Sequence, residues 1–112
     1  MPIANCIVTP KCQKRSDSSI NLIELWSSES KISSEHMTIN IITSSEQLGN
    51  KYTIMVTLLL PSIWSNSDIS SLQMGLAKAL TLHYNVSLEE VFILTNMVNS
   101  GMVVESGKEI KW

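Results

Sequence analysis

Arginine is almost missing from this chain: Arg15 is the single one among 112 residues. Charged residues of both signs make up only 16% and the formal net charge is -2, so nothing draws the chain as a whole to nucleic acid or to an anionic membrane. Long hydrophobic runs are absent too. The longest, YTIMVTLLL from Tyr52 to Leu60, is too short to cross a bilayer, and the N-terminus lacks a charged region leading into an extended apolar stretch. These absences predict a soluble, cytoplasmic protein with no nucleic-acid or membrane partner. Four glycines leave no phosphate-cradling loop, and the serines have no G-x-S-x-G context, so nucleotide binding and serine hydrolysis find no support. Cys6 and Cys12 match neither zinc spacing nor a disulfide framework and read as reduced structural thiols. His36 and His83 have no companion ligands at metal spacing, so both read as structural and neither a metal nor another cofactor is expected.

What is present starts with MPIANCIV, a proline directly behind the initiator methionine and ahead of an apolar run. Proline lacks an N–H and is confined to first positions or edges of strands. If Met1 is removed, however, Pro2 carries a secondary amine at a fixed point at the head of a strand. Burial or a nearby cation disfavours the charged form of such an amine and brings its basicity toward working pH, where a general base is most effective.

A repeat runs through the chain. A shift of 54 residues lays NLIELWSSESKIS (21 to 33) over GLAKALTLHYNVS (75 to 87), matching Leu22 with Leu76, Trp26 with Leu80, Ile32 with Val86 and Ser33 with Ser87. Upstream, Pro10 pairs with Pro61 once three residues are inserted in the second copy, which sets Pro2 opposite Thr53. Each copy, 2–43 and 52–95, reads strand, helix, strand, within a single domain of 1–112.

Residues 3–9 and 52–60 are near-continuous apolar runs ending at a proline. Ser67 and Asp68 open a helix with Ile69, Leu72, Leu76, Ala79, Leu80 and His83 at helical spacing and Asn85 as a left-handed cap. The first helix is expected at roughly 17–29 with Asp17 as cap, and its SSES end is weakly helix-forming. Trp64, just ahead of the second helix, reads as a staple. Ser87 to Glu90 has the S-x-x-E pattern of a one-turn cap before the last long strand, and SSEH before MTINII looks alike. Right-handed crossovers then give an α+β fold, a four-stranded mixed sheet with both helices on one face and a C-terminal hairpin within 99–112 turning at Ser106-Gly107. The other sheet face is left bare and apolar, and symmetric self-association is the common way to cover it.

The Met-Pro start, the doubled β-α-β unit, PIAN leading into a strand, RSD at Arg15 to Asp17, LPSIWS (60 to 65) and the tail SGMVVESGKEIKW (100 to 112) together resemble the tautomerase superfamily in its fused, two-unit form. That superfamily includes oxalocrotonate tautomerase, carboxymethyl-hydroxymuconate isomerase and macrophage migration inhibitory factor. The resemblance implies a homotrimer and an isomerase in which the amine of Pro2 moves a proton between carbon and oxygen of a small 2-oxo or enol carboxylic acid. It implies that Arg15 binds the substrate carboxylate and that Trp112 closes the site wall; read without the resemblance, Trp112 is a hydrophobic anchor pinning the tail to a neighbouring subunit. A second arginine usual in that group falls at about Thr38, a neutral residue. Lys11, Lys14 and Lys108 are point charges that could stand in for it, and Tyr52 could donate its hydroxyl to an enolate or serve as an edge aromatic. The alternative is a non-catalytic trimeric binding or scaffold protein of the same fold. A third reading is a small α+β domain of another kind, in which the repeat is a coincidence of patterning.

Overall fold

The computed structural model describes residues 1–10, 12 and 21–112. Lys11, Lys14, Arg15 and the expected cap Asp17 lie outside the described residues. Strand β1 (Ile3–Val8), helix α1 (Leu22–Ser30) and strand β2 (Thr38–Thr43) form the first unit. Strand β3 (Ile54–Pro61), helix α2 (Asn66–Tyr84) and strand β4 (Val91–Val98) form the second, and strands β5 (Val103–Glu105) and β6 (Lys108–Ile110) make a terminal hairpin. The sheet order is β2-β1-β3-β4. Pairing is parallel within each unit and antiparallel where β1 meets β3.

The repeat is carried through in detail. Helix α1 ends on Lys31 and α2 on Asn85, both in the left-handed conformation and 54 positions apart. A 3₁₀ turn follows each, at Ser34–His36 and Leu88–Glu90. Ser33 Oγ accepts from the Glu35 N–H in the first, and the Glu90 carboxylate accepts from the Ser87 N–H at 2.8 Å in the second, the reach-back half of a capping box.

Two helix starts differ from the sequence expectation. Among the described residues α1 begins after Asn21, whose side chain accepts from the Glu24 N–H at 2.8 Å. Helix α2 begins at Asn66, because Ser65 rather than Ser67 takes the cap and accepts from the Asp68 N–H. Asn21 and Ser65 cap in the same way, with the side-chain oxygen satisfying an N–H that the helix leaves without a partner. The SSES end of α1 holds because its hydroxyls find local acceptors: Ser27 Oγ donates to the Ile32 carbonyl and Ser30 Oγ to the Trp26 carbonyl.

The core lies between the helices and one sheet face. Ala4, Cys6 and Val8 of β1 and Ile54, Val56, Leu58 and Leu60 of β3 point into it, against Leu22 and Trp26 of α1 and Leu72, Leu76, Ala79 and Leu80 of α2. Trp64 and Ile69 pack at its margin, as a staple would. The two helices cross closely where Gly75 meets Ser30. A Cβ at Gly75 would stand 2.7 Å from the Ser30 nitrogen, so the crossing admits no side chain there. Buried Trp26 donates its indole N–H to the Leu72 carbonyl at 3.0 Å, which ties α1 to α2 by a polar bond inside apolar surroundings.

The opposite face carries the alternate residues: Ile3, Asn5 and Ile7 on β1, Thr38, Asn40 and Ile42 on β2, Met55, Thr57 and Leu59 on β3, and Phe92, Leu94 and Asn96 on β4. No helix among the described residues lies over it. Its apolar members Ile42 and Leu94 are 51% and 53% exposed, which is the bare face expected from the sequence.

No helix among the described residues is long and apolar enough to cross a membrane.

Candidate active site at the head of β1

Pro2 is buried. Its carbonyl accepts the Thr38 N–H at 3.0 Å, so the residue is already held in the β1–β2 ladder one step before β1 begins. Continuing the β1–β3 register places it opposite Leu60, near the end of β3. Proline suits this position because the ladder asks for a carbonyl there and supplies nothing for an N–H. Thr38, the position to which the resemblance assigns a second arginine, is thus directly beside Pro2 and is neutral.

The C-terminal tail comes to the same end of the sheet. Ser62, just beyond β3, is tied to the end of β4 through its N–H to the Val98 carbonyl, and its hydroxyl accepts the indole N–H of Trp112 at 3.0 Å. The Trp112 backbone N–H donates to Ser100 Oγ at 2.7 Å. Trp112 is therefore anchored on its own chain, on the side where Pro2 lies. Ser106 and Gly107 both have positive φ, the signature of a two-residue type I′ turn, and β5 and β6 pair through it with Glu105 opposite Lys108. Burial lowers the terminal amine, here that of Met1, below its ordinary value, and the Glu105 carboxylate opposes that shift. Glu105 and Ser62 were not legible as site residues. The alternation of the tail predicted the hairpin, but not which end of the sheet it would reach.

Tyr52 is elsewhere. It precedes β3, whose first residue pairs with Val8 at the far end of β1, so β3 separates it from Pro2 by about 26 Å of extended chain. Its ring lies 4.8 Å from that of Phe92, and its hydroxyl accepts from Asn50 Nδ2 at 3.0 Å. Within one chain Tyr52 is an edge aromatic.

A cleft of about 820 Å³ opens at that far end, lined in part by Cys12, Gln47, Lys51, Tyr52, Tyr84 and Glu90. Two of its groups, Cys12 and Glu90, are each held in one protonation state. Burial, reinforced by the charge of Glu90, raises the Cys12 thiol, which keeps it from ionising. The Glu90 carboxylate is held low by the Ser87 N–H and then by the Thr53 hydroxyl, which makes it a cap rather than a base. Burial pushes Cys6 up to about 12, so it offers no thiolate either. No group of three or more histidine, cysteine, aspartate and glutamate side chains able to hold a metal occurs among the described residues. His83 is buried, edge-on to Tyr84, and His36 is exposed beside Glu35.

No protein-family model matches the chain, and no curated protein matches it in sequence. Solved structures do match. The chain is similar to the F6 fused 4-OT, solved as an asymmetric trimer, at 10% identity over 96% of this chain and 94% of that one, with a TM-score of 0.75. It is similar to Pt0534 inactivated by 2-oxo-3-pentynoate at 12% identity, covering 97% and 94%, with a TM-score of 0.70. The third likeness is to macrophage migration inhibitory factor from Oncomelania hupensis, at 15% identity, 99% and 83% coverage and a TM-score of 0.66. At these identities the likeness establishes architecture, and it does so over nearly the whole chain: the protein has the tautomerase-superfamily fold in its fused, two-unit form.

Proposed function

We propose that the protein is a tautomerase-like isomerase in which Pro2, once Met1 is removed, acts as general acid and base on a small 2-oxo or enol carboxylic acid. The observation that carries this reading is the seating of Pro2: a buried residue whose carbonyl is fixed by Thr38, at the sheet end where the Trp112 tail is fastened to Ser62. A free imino nitrogen there would be partly desolvated, which favours its neutral form. It would take a proton from the carbon next to the ketone and deliver it to the enolate oxygen, or carry the same proton back from oxygen to carbon in the reverse direction. A cation must hold the carboxylate. Arg15 and Lys11 are proposed for this by their place in the sequence, with Lys108 on the hairpin as a third candidate and Trp112 as the apolar wall. Tyr52 would reach a Pro2 only from a neighbouring copy. The F6 fused 4-OT is a trimer, and three copies of this chain would cover the bare sheet faces and enclose the Pro2 ends.

A second reading, a trimeric binding or scaffold protein without catalysis, is favoured by one observation. Thr38 offers no charge beside Pro2 where the resemblance asks for an arginine.

Labelling with 2-oxo-3-pentynoate, the compound that inactivates Pt0534, separates the two. A secondary amine adds across the activated triple bond: the N–C bond forms, the alkyne becomes an alkene, and the amine proton ends on carbon. The N-terminal peptide then gains the mass of the whole reagent. We expect that adduct on Pro2 of protein lacking Met1, together with ketonisation of an enolised keto acid that falls about 10²–10⁴-fold in Pro2→Ala. Retained Met1, or activity unchanged by Pro2→Ala, would overturn the catalytic reading.

A further inference from the structure

The bare sheet face is not uniformly apolar. Asn5 of β1 pairs with Asn40 of β2 and with Thr57 of β3, so three polar side chains share one row across the sheet. Asn40 Nδ2 donates to Asn5 Oδ1 at 2.8 Å. On one side of this row lie Ile42, Ile7 and Met55, all more than a third exposed, and on the other Ile3 and Leu59. Asparagine is among the poorest strand formers, yet two stand side by side at the middle of β1 and β2. Local propensity does not explain them.

The bond between the two amides uses one donor and one acceptor. Both N–H donors of Asn5, the second N–H of Asn40 and its carbonyl oxygen have no hydrogen-bond partner among the described residues. In a solitary chain water would serve them. Under a second protein surface they would be orphaned, at the cost of a buried unsatisfied polar group, unless that surface brings the complementary groups. A copy of this chain brings both. Asn40 lies on β2, an edge strand, at the margin where a neighbouring sheet would abut. In a head-to-tail ring the amide of Asn5 in one copy can meet that of Asn40 in the next, and in the trimer proposed above every copy would be served in this way.

We propose that Asn5 and Asn40 form an intersubunit amide belt that fixes the register and the number of copies in a homotrimer. This rests on the trimeric assembly under Proposed function, and it is independent of whether Pro2 is catalytic. The apolar row of Ile42, Ile7, Met55 and Phe92 beside the belt drives association, whereas the belt selects one geometry among several that would bury the same area.

Analytical ultracentrifugation over a dilution series tests the belt. Wild-type protein should sediment as one trimeric species. Asn5→Ala and Asn40→Ala should each raise the concentration at which it dissociates by at least about tenfold, and the double variant by little more than either alone. Asn40→Asp keeps the shape of the side chain and, exposed in the single chain, should leave the fold intact by circular dichroism. The described residues that share this sheet face with Asn40 are Thr38, Ile42, Ile3, Asn5, Ile7, Met55, Thr57, Leu59, Phe92, Leu94 and Asn96, none of them an ionisable type. Three carboxylates would therefore be brought together without a counter-ion, and Asn40→Asp should be trimeric at about pH 4 and dissociated at pH 8. A wild-type trimer with all these variants dissociating as wild type would overturn the belt while leaving the assembly standing. A wild-type monomer at every concentration would overturn both.

Discussion

Two side chains show how position sets protonation. Glu90 is held below the ordinary carboxylate range by the Ser87 N–H first and the Thr53 hydroxyl second. Its folded value is depressed, so its contribution is complete above its unfolded value near 4.5 and is lost as pH falls through the lower folded one. The melting temperature should thus drop more steeply on acidification in the wild type than in Glu90→Gln, which differential scanning calorimetry from pH 6 to pH 2 would measure. The terminal amine is also shifted downward, but by burial rather than by hydrogen bonds. Glu105 favours its protonated form while burial favours the neutral one. If Pro2 is the base, kcat/KM should rise with pH to a plateau, and Glu105→Gln should move the midpoint of that rise to lower pH. An unmoved midpoint would show that Glu105 does not act on the Pro2 nitrogen. Thiol chemistry should be silent by comparison: with Cys6 pushed up to about 12, Ellman's reagent at pH 8 should titrate it only after denaturation.

Between elements, the crossing of α1 and α2 carries the sharpest packing constraint. Glycine inside a helix ordinarily costs about 0.8–1 kcal/mol relative to alanine, so Gly75→Ala would be stabilising in open space. Here the added methyl meets the Ser30 backbone nitrogen and Cα, at 2.7 and 2.8 Å, neither of which can turn aside as a side chain would. The clash should win, and Gly75→Ala should lower stability by about 1–3 kcal/mol in a urea titration. This contact was invisible in the sequence, since it depends on how two helices 46 residues apart at Trp26 and Leu72 are bound together. By contrast the elements were largely legible, because buried strands, helical spacing and the turn at Ser106-Gly107 are local patterns. Helix starts were less so. Ser65, Ser67 and Asp68 are all competent caps, and only the seating of α2 against the core decides among them. Lys31 is no usual left-handed cap, although its place 54 residues before Asn85 carried the signal.

For the whole molecule, topology answered what periodicity left open. A strand pattern does not say at which end of a sheet its flanking residues will lie, and for that reason Tyr52 and Pro2 were grouped although antiparallel pairing of β1 with β3 sends them to opposite ends. The same pairing brought Trp112 and Ser62 to the Pro2 end. Arg15 and Lys11 remain expectations from sequence alone. The open face was foreseen as apolar; its amide row was not, because the two asparagines become neighbours only through the parallel register of β1 and β2.

Doubling the unit also breaks its equivalence. Position 53 mirrors position 2 in the second half, but its nitrogen is locked in a peptide linkage, and the Thr53 hydroxyl is spent on Glu90. Six structural modules in a three-chain ring would then own just three reactive termini, so saturation with the alkynyl keto acid should stop at one equivalent per polypeptide.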